Sequence, residues 1–169
     1  MADNPDEWFD VVDVHDRVTG QARRADVHAR GLLHRAVHIL VRDPDGRVFL
    51  QQRSLQKDSH PGRWDSSASG HLDAGEGYAA AAKRELHEEL GLVGEPREIG
   101  SLPASRETGW EFVRIYTVRH AGPVTLHPEE IMDGRWLDPA VIDEWIQQDG
   151  GAIAPAFVAV WKAVRPLFS

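Results

Sequence analysis

The sequence predicts an α/β fold, a mixed β-sheet with helices on its outside. Two observations lead to this prediction. Several segments alternate apolar and polar residues next to glycine-containing turns, which is typical of β-strands. Two others, 79–90 and 154–168, place apolar residues at helical spacing. With 169 residues, the chain has room for one compact domain with a sizeable core. We therefore expect a single domain over 1–169, with residues 1–9 flexible.

The first half of the chain contains two predicted hairpins. Residues 8–24, WFDVVDVHDRVTGQARR, alternate around a glycine turn and are predicted as a pair of short strands. The runs 36–41 and 48–52 flank the turn sequence Asp43-Pro44-Asp45-Gly46. Because this turn chemistry favours chain reversal between two β-rich runs, we expect an antiparallel hairpin there.

The second half of the chain predicts one further strand, the end of another at residues 135–137 (RWL), and two helices. Residues 111–120, EFVRIYTVRH, alternate as a strand does. A helix is expected from about Pro139, because proline is favoured at the first helical position. The last helix is expected to bury Phe157, Val160, Trp161 and Val164.

The helix within 69–92, SGHLDAGEGYAAAAKRELHEELGL, carries an unusual density of carboxylates. Glu85, Glu88 and Glu89 fall within about one helical turn, where like charges repel one another. An adjoining stripe is predicted to dock on the core and consists of Ala79, Ala82, Leu86 and Leu90. An acidic helix face in contact with water is the simplest explanation. The alternative is a hard divalent cation, Mg²⁺ or Mn²⁺, which prefers carboxylate oxygens.

The spacing around this helix favours the cation. Gly70, Glu76, the triplet 84–86 (REL), the pair 88–89 (EE) and the pair 91–92 (GL) match the Nudix box at every specified position. The chain therefore resembles the Nudix hydrolase superfamily. The resemblance implies the Nudix fold, an α/β/α sandwich with a mixed sheet. It also implies a metal-dependent hydrolase that cleaves a phosphoanhydride bond in a nucleoside diphosphate derivative or related organic diphosphate, by attack of a metal-activated water.

Roles can be assigned to the residues of this motif. Glu85 and Glu89 are the first candidates for metal ligands, and the Gly70 carbonyl is a further one, since glycine permits close backbone approach. Glu88 is a candidate both for sharing the metal and for acting as the base. Arg84, four residues before Glu88, is expected to orient its carboxylate.

Two points about the motif stay open in the sequence. Glu76 is a candidate for holding Arg84, but a salt bridge that only ties the loop to the helix explains both residues equally well. Some Nudix enzymes take their base from a later segment, and Glu111 and Glu130 are candidates for that role.

A second resemblance concerns the segment LQQRSLQKDSHPGRWDSSASGH and the residues before it. They are similar to the Nudix branch that includes type 1 isopentenyl diphosphate isomerases. This resemblance implies a second metal site or base formed by His34, His71 and Glu111. It also implies substrate diphosphate contacts from Arg53 and Lys57.

The chain departs from the isomerases at two positions. Their catalytic cysteine falls on Ser69, and another of their histidine ligands falls on Val27, beside His28. Simpler explanations are that the histidines are packed or hydrogen-bonded and that the basic residues are ordinary surface charges. Trp64 and Trp110 are candidates for stacking on a base, although large aromatic residues more often belong to a core.

Composition limits the remaining function classes. The chain has no cysteine, which excludes disulfides and thiolate chemistry. A net charge of −8 argues against binding a nucleic-acid duplex, but not against a small phosphorylated substrate. No apolar run approaches membrane-spanning length and the N terminus has no secretion signal, so we expect a cytoplasmic protein without membrane contact. An isomerase-like enzyme and a non-catalytic nucleotide-sensing module are the alternative functions, and the oligomeric state is not predictable.

Overall fold

A mixed β-sheet between two helical layers organises the chain. The structure is a computed structural model and describes residues 3–148 and 151–169. The strands are β1 (Trp8–Val12), β2 (Val18–Arg23), β3 (His34–Arg42), β4 (Val48–Arg53), β5 (Trp64–Asp65), β6 (Ala68–His71), β7 (Arg97–Leu102), β8 (Glu111–Arg119) and β9 (Ile131–Leu137). The helices are α1 (Arg24–Arg30), α2 (Tyr78–Leu90), α3 (Pro139–Gln148) and α4 (Pro155–Val164), followed by a 3₁₀ turn (Arg165–Leu167).

Strand β3 lies at the centre of the larger sheet. It pairs in parallel with β8 along its whole length and antiparallel with β6 and the start of β4. β4 in turn pairs with β5 and β9, and β7 pairs with β8. β1 and β2 form a separate two-stranded sheet. The parallel β3–β8 pair among antiparallel ones makes the larger sheet mixed, as predicted.

Successive residues of β3 point alternately to the two faces of the sheet, and both faces are buried. Val37, Ile39 and Val41 belong to one buried cluster, which includes the apolar side of α2. Ala36 and Leu40 belong to a second cluster, to which α3 and α4 contribute. The sheet therefore lies between two helical layers, and the predicted α/β/α sandwich is confirmed. All four residues predicted to be buried in the last helix are buried.

The two predicted hairpins are confirmed. β1 and β2 pair antiparallel, and the turn between β3 and β4 is closed by the Asp43 side chain. Its Oδ1 accepts the N–H groups of Asp45 at 3.0 Å and Arg47 at 2.9 Å. Gly46 adopts φ 84°, a conformation that favours glycine.

The sequence did not predict α1, β5, β6 or β7. α1 follows directly on β2 without a side-chain N-cap, so it has no recognisable start signal. β5 and β6 have two and four residues, too few to show a period. β7 contains a glycine and an irregular register opposite β8, which weakens its alternation.

Two further predictions, on the N-terminal residues and on membrane spans, can be compared with the structure. Of residues 1–9, expected to be flexible, the first two lie outside the described residues, whereas Trp8 and Phe9 begin β1. Over 3–148 and 151–169, no helix combines the length and the apolar character needed to cross a membrane.

One prediction about the buried side of α2 is wrong. Ala79 is exposed, and Tyr78 and Ala81 are buried in its place. The reason is that the buried side of the helix is centred closer to the acidic face than apolar spacing alone indicates. It therefore includes Glu85 and Glu89.

Candidate active site

A cavity of about 600 Å³ lies at the end of the sheet where α1, β6 and α2 approach one another. Its walls contain most of the predicted site residues: Arg53, Lys57, Gly70, His71, Arg84, Glu85, Glu88, Glu89, Glu111 and Glu130. The remaining two contact residues of the wall. Glu76 accepts a hydrogen bond from Arg84, and His34 lies beside Glu111. The fold thus brings both predicted groups, the motif carboxylates and the histidine set, into one cavity.

Helix α2 holds Glu85 and Glu89 against β6. They lie four residues apart on the buried side of the helix, with 9% and 3% of their surface exposed. Glu89 Oε1 accepts hydrogen bonds from the Gln51 amide at 2.9 Å and the Ser69 backbone N–H at 3.0 Å. A Cβ atom added at Gly70 would overlap the Glu85 carboxylate. Gly70 is therefore required because the carboxylate occupies the space of a side chain.

Burial raises the pKa of both carboxyl groups. For Glu85 the charge of Glu89 adds to the effect, and the pKa lies well above its usual range. For Glu89, burial raises the pKa to about 7, although the Lys57 charge opposes the shift. Because the unfolded chain has the ordinary value of 4.5, ionisation of Glu89 opposes folding increasingly as the pH rises from 4.5 to about 7. Two such groups side by side call for a nearby positive charge.

Arg84 supplies part of that charge. Its Nη1 donates to Glu85 Oε1 at 2.7 Å and to Glu88 Oε2 at 3.2 Å. Its Nε and Nη2 form a fork on the two Glu76 oxygens, each at 2.8 Å, and Nη2 also donates to the His71 carbonyl at 3.0 Å. Arg84 therefore fixes two of the acidic side chains directly, and Glu76 fixes Arg84. The salt bridge between loop and helix, one of the two explanations for Glu76, is present.

Glu88 differs from its two neighbours. Its side chain is 53% exposed, whereas Glu85 and Glu89 are buried. It contacts Arg84 on one side and lines the cavity on the other. Of the three acidic residues of the helix, Glu88 is the one that water reaches most easily.

Four elements contribute to a histidine cluster across the cavity. His28 comes from α1, His34 from β3 and His71 from β6, and one ring nitrogen of each lies within 4.8 Å of the others. Glu111 of β8 joins them, because its Oε1 lies 2.9 Å from His71 Nε2 and 3.7 Å from His34 Nε2. Parallel pairing of β3 with β8 places His34 and Glu111 in register. The expected His34, His71 and Glu111 are therefore together.

Hydrogen bonds define which ring nitrogens carry protons. His34 Nδ1 lies 2.8 Å from the Leu32 carbonyl, so it is the protonated nitrogen. His34 Nε2 consequently carries a lone pair, and this buried atom has no hydrogen-bond partner among residues 3–148 and 151–169. His71 Nδ1 accepts from Arg24 Nη1 at 3.3 Å, which leaves Nε2–H to donate to Glu111.

The charges of this cluster follow from burial. Burial lowers the pKa of His71 to about 4, against the opposing effect of Glu111, and burial together with the Arg24 charge lowers that of His28. Burial alone would raise the pKa of Glu111, but the charge interaction with His71 and the hydrogen bond from its Nε2 outweigh this effect, so the pKa lies well below its usual range. His71 is therefore neutral and Glu111 ionised at pH 7.

Arg53 and Lys57 lie on the cavity wall, but each has a carboxylate partner. Arg53 Nη1 donates to Asp65 Oδ2 at 3.0 Å. Lys57 Nζ lies 2.6 Å from Glu130 Oε2 and 3.1 Å from Asp3 Oδ1. The other candidate base besides Glu111 is thus engaged by Lys57.

The sequence did not indicate several residues of the cavity. Arg24 is buried and contacts Asp3 at 3.0 Å, Asp58 at 3.2 Å and His71. It had no local signal, because α1 itself was not predicted. His28 had one signal, its place beside Val27. The structure buries Val27 completely and turns His28 toward the cavity.

Of the two tryptophans considered for stacking, Trp64 packs against Trp145, with ring centroids 5.4 Å apart. Trp110 lines the cavity.

Comparison with known proteins agrees with this geometry. The sequence matches the NUDIX domain over residues 32–157. An uncharacterised Nudix hydrolase of Streptomyces coelicolor is 39% identical, with 96% of this chain and 93% of that protein covered. A protein of Burkholderia multivorans named isopentenyl-diphosphate Δ-isomerase is 35% identical, with 92% and 89% covered.

A solved structure matches the fold as well. The crystal structure of DR0079 from Deinococcus radiodurans superimposes with a TM-score of 0.79 at 30% identity and covers 88% of this chain and 93% of that one. Nudix hydrolases in general use divalent metal ions and cleave phosphoanhydrides. The chain therefore belongs to the Nudix hydrolase family and is a pyrophosphohydrolase in the general sense of that family.

Proposed function

We propose that this enzyme is a Mg²⁺-dependent hydrolase of a nucleoside diphosphate derivative or a related organic diphosphate. The observation that carries the proposal is the pair Glu85 and Glu89, two buried carboxylates with raised pKa beside the Gly70 backbone. Such a pair is unfavourable by itself and becomes favourable with a hard cation, which prefers oxygen ligands.

The residues present fit such a cation. Glu85, Glu89, Glu88 and the Gly70 carbonyl would hold Mg²⁺, with Mn²⁺ as the alternative ion. When bound, the cation neutralises phosphate charge and makes hydroxide available near neutral pH. The missing side chain at Gly70 leaves the Glu85 carboxylate and the backbone in direct proximity.

Glu88 is the proposed base. It accepts a proton from the water that attacks phosphorus, while the bond from phosphorus to the bridging oxygen breaks. Its exposure and its position on the cavity wall support this role. Arg84 orients Glu85 and Glu88, and Glu76 keeps Arg84 in place. Glu111 and Glu130 are weaker candidates, since His71 and Lys57 respectively engage them.

Arg53 and Lys57 are proposed to contact the substrate diphosphate. Both lie on the cavity wall, and each forms an ion pair with a carboxylate. A phosphate oxygen can share these cations, since Lys and Arg donate several hydrogen bonds each.

The histidine cluster is proposed as a second cation site. His28, His34 and His71 converge, and Glu111 adds a carboxylate. The unpartnered lone pair of His34 Nε2 supports this proposal most strongly, because a buried polar atom without a partner is unfavourable. The bond from His34 Nδ1 to a backbone carbonyl is also the orientation found in metal-ligating histidines.

An isoprenoid diphosphate isomerase is the second candidate function. The histidine cluster and the Burkholderia multivorans relative favour it. Ser69 disfavours it, because it stands where the isomerases that this chain resembles carry a cysteine, and a serine hydroxyl is a much weaker acid than a thiol. A non-catalytic nucleotide sensor would not need the full acidic set of α2.

We further propose that the enzyme binds a small phosphorylated molecule, does not bind a nucleic-acid duplex and is located in the cytoplasm.

The proposed activity is tested by a hydrolysis screen. Nucleoside diphosphates and triphosphates, dinucleotides, nucleotide sugars and isopentenyl diphosphate are incubated with and without Mg²⁺, and the products are identified by mass. We expect hydrolysis of at least one nucleoside diphosphate compound, only with the cation, because the carboxylate pair cannot neutralise phosphate charge by itself.

Two outcomes would contradict this assignment. Proton NMR in D₂O that detects deuterated dimethylallyl diphosphate at an enzymatic rate identifies an isomerase. Binding of nucleotides with no hydrolysis at any Mg²⁺ concentration identifies a sensor.

The carboxylate geometry is tested by Gly70→Ala. The added methyl group must displace Glu85, so we expect turnover at saturating Mg²⁺ to fall about 100-fold, the scale of a misplaced catalytic group. Gly77→Ala is the matched control, because a Cβ atom there has open space. We measure kcat and the melting temperature of both variants. Full turnover in folded Gly70→Ala would remove Glu85 from the mechanism.

The second cation site is tested with Zn²⁺ and Mn²⁺ by titration calorimetry on His34→Gln. Loss of the Nε2 lone pair should weaken the histidine-site binding at least tenfold, roughly the effect of removing one ligand. His15→Gln controls for the loss of a histidine, because His15 is exposed and does not line the cavity. Unchanged isotherms for folded His34→Gln would show that the cluster binds no cation.

A further inference from the structure

Unusual backbone conformations occur on the wall of the cavity. Over 3–148 and 151–169, the non-glycine residues with positive φ are Asp16, His60 and Trp110. Asp16 has a structural reason for its conformation, because its carboxylate accepts from Arg35 at 2.7 Å and from Tyr78 at 2.8 Å. Aspartate also tolerates this region better than most residues. His60 and Trp110 both line the cavity.

Trp110 is the most unfavourable of the three. Its φ of 66° is left-handed, a conformation that is rare for a bulky residue, and it follows Gly109, which has the same φ. Glycine or asparagine would adopt this backbone at lower cost. The backbone therefore gives no reason for tryptophan at this position.

Hydrogen bonds hold the backbone of Trp110 firmly in this conformation. Its N–H donates to the Ser105 carbonyl at 2.7 Å, and its own carbonyl accepts from His34 N–H at 3.2 Å. The Thr108 hydroxyl donates to the Glu111 carbonyl at 2.8 Å and closes the loop. The backbone that carries the ring is consequently held in place.

Burial in the core does not explain the tryptophan at this position either. Trp110 is 44% exposed, whereas Trp161 in the core is 2% exposed. One edge of the indole lies against the end of α1, where a methyl group placed on Gly31 would be 3.7 Å from Cδ1. Trp110 also immediately precedes Glu111 of the histidine cluster. An accessible aromatic surface on a hydrogen-bonded backbone therefore lines the same cavity as the motif carboxylates.

We propose that Trp110 is a preformed stacking surface for the nucleobase of the substrate. This inference rests on the proposed function, since it assigns the base-bearing end of the same substrate. A cavity of about 600 Å³ accommodates a ligand of nucleotide size. Every base has a π-face, so the surface selects nucleotides over base-free diphosphates without selecting one base. The left-handed backbone is maintained because it directs the ring into the cavity.

The test measures binding without hydrolysis. The α,β-methylene analogues of ADP and UDP serve as probes and methylenediphosphonate as the base-free reference, titrated by calorimetry in the presence of Mg²⁺. We expect Trp110→Leu to weaken binding of the tighter nucleotide analogue about tenfold, the scale of one base–aromatic stack, and to leave methylenediphosphonate unchanged. Trp110→Phe keeps an aromatic face and should retain affinity within about threefold.

A control variant and the hydrolysis screen separate the outcomes. Trp8→Leu removes a comparably exposed tryptophan, 49% exposed, that does not line the cavity, and should change neither affinity. If Trp110→Leu weakens binding of both ligand types equally, Trp110 has a structural role and the inference is wrong. The inference is also wrong if the wild-type protein binds the nucleotide analogues no better than methylenediphosphonate. Retained base preference in an enzyme that hydrolyses nothing would overturn the proposed function alone.

Discussion

The site depends on one constraint, the burial of Glu85 and Glu89 side by side between α2 and β6. This arrangement opposes folding when both groups are ionised, because burial raises both pKa values and the charge of Glu89 raises that of Glu85 further. The surrounding structure reduces that cost: Arg84 lies against Glu85, and the Gln51 amide and Ser69 N–H bond to Glu89. The remaining deficit of positive charge is what we assign to the cation.

The sandwich explains how these groups meet. β3 lies at its centre and pairs with both β6 and β8, so it brings Gly70, His71 and Glu111 to the same end of the sheet. α2 packs on one face with its apolar residues and thereby directs its acidic residues toward β6. The spacing of residues along α2 and the strands determines where the acidic side chains lie. The histidine cluster also requires α1, which follows the small β1–β2 sheet.

Much of this could be predicted from the sequence, for identifiable reasons. The Asp43 turn and the alternation around it contain local chemistry that determines a hairpin, and the α2 motif fixes its residues by spacing. The burial of Glu89 and the exposure of Ala79 could not be predicted, because apolar spacing alone does not show how far a buried face extends into charged residues. Arg24, Asp3 and His28 reach the cavity through long-range packing of elements too short or too weakly signalled to recognise.

The central claim is that the buried carboxylates bind a cation, and counting protons tests it most directly. Mn²⁺ is titrated calorimetrically at pH 6 and pH 9 in buffers of different ionisation enthalpy, with Glu89→Gln as the control. Because Glu89 has a pKa of about 7, the metal-free site holds a proton at pH 6 that the cation must displace. The account predicts that more protons are released per cation at pH 6 than at pH 9, and that fewer are released at pH 6 in the variant. Binding with the same proton count at both pH values, or no binding, would contradict it.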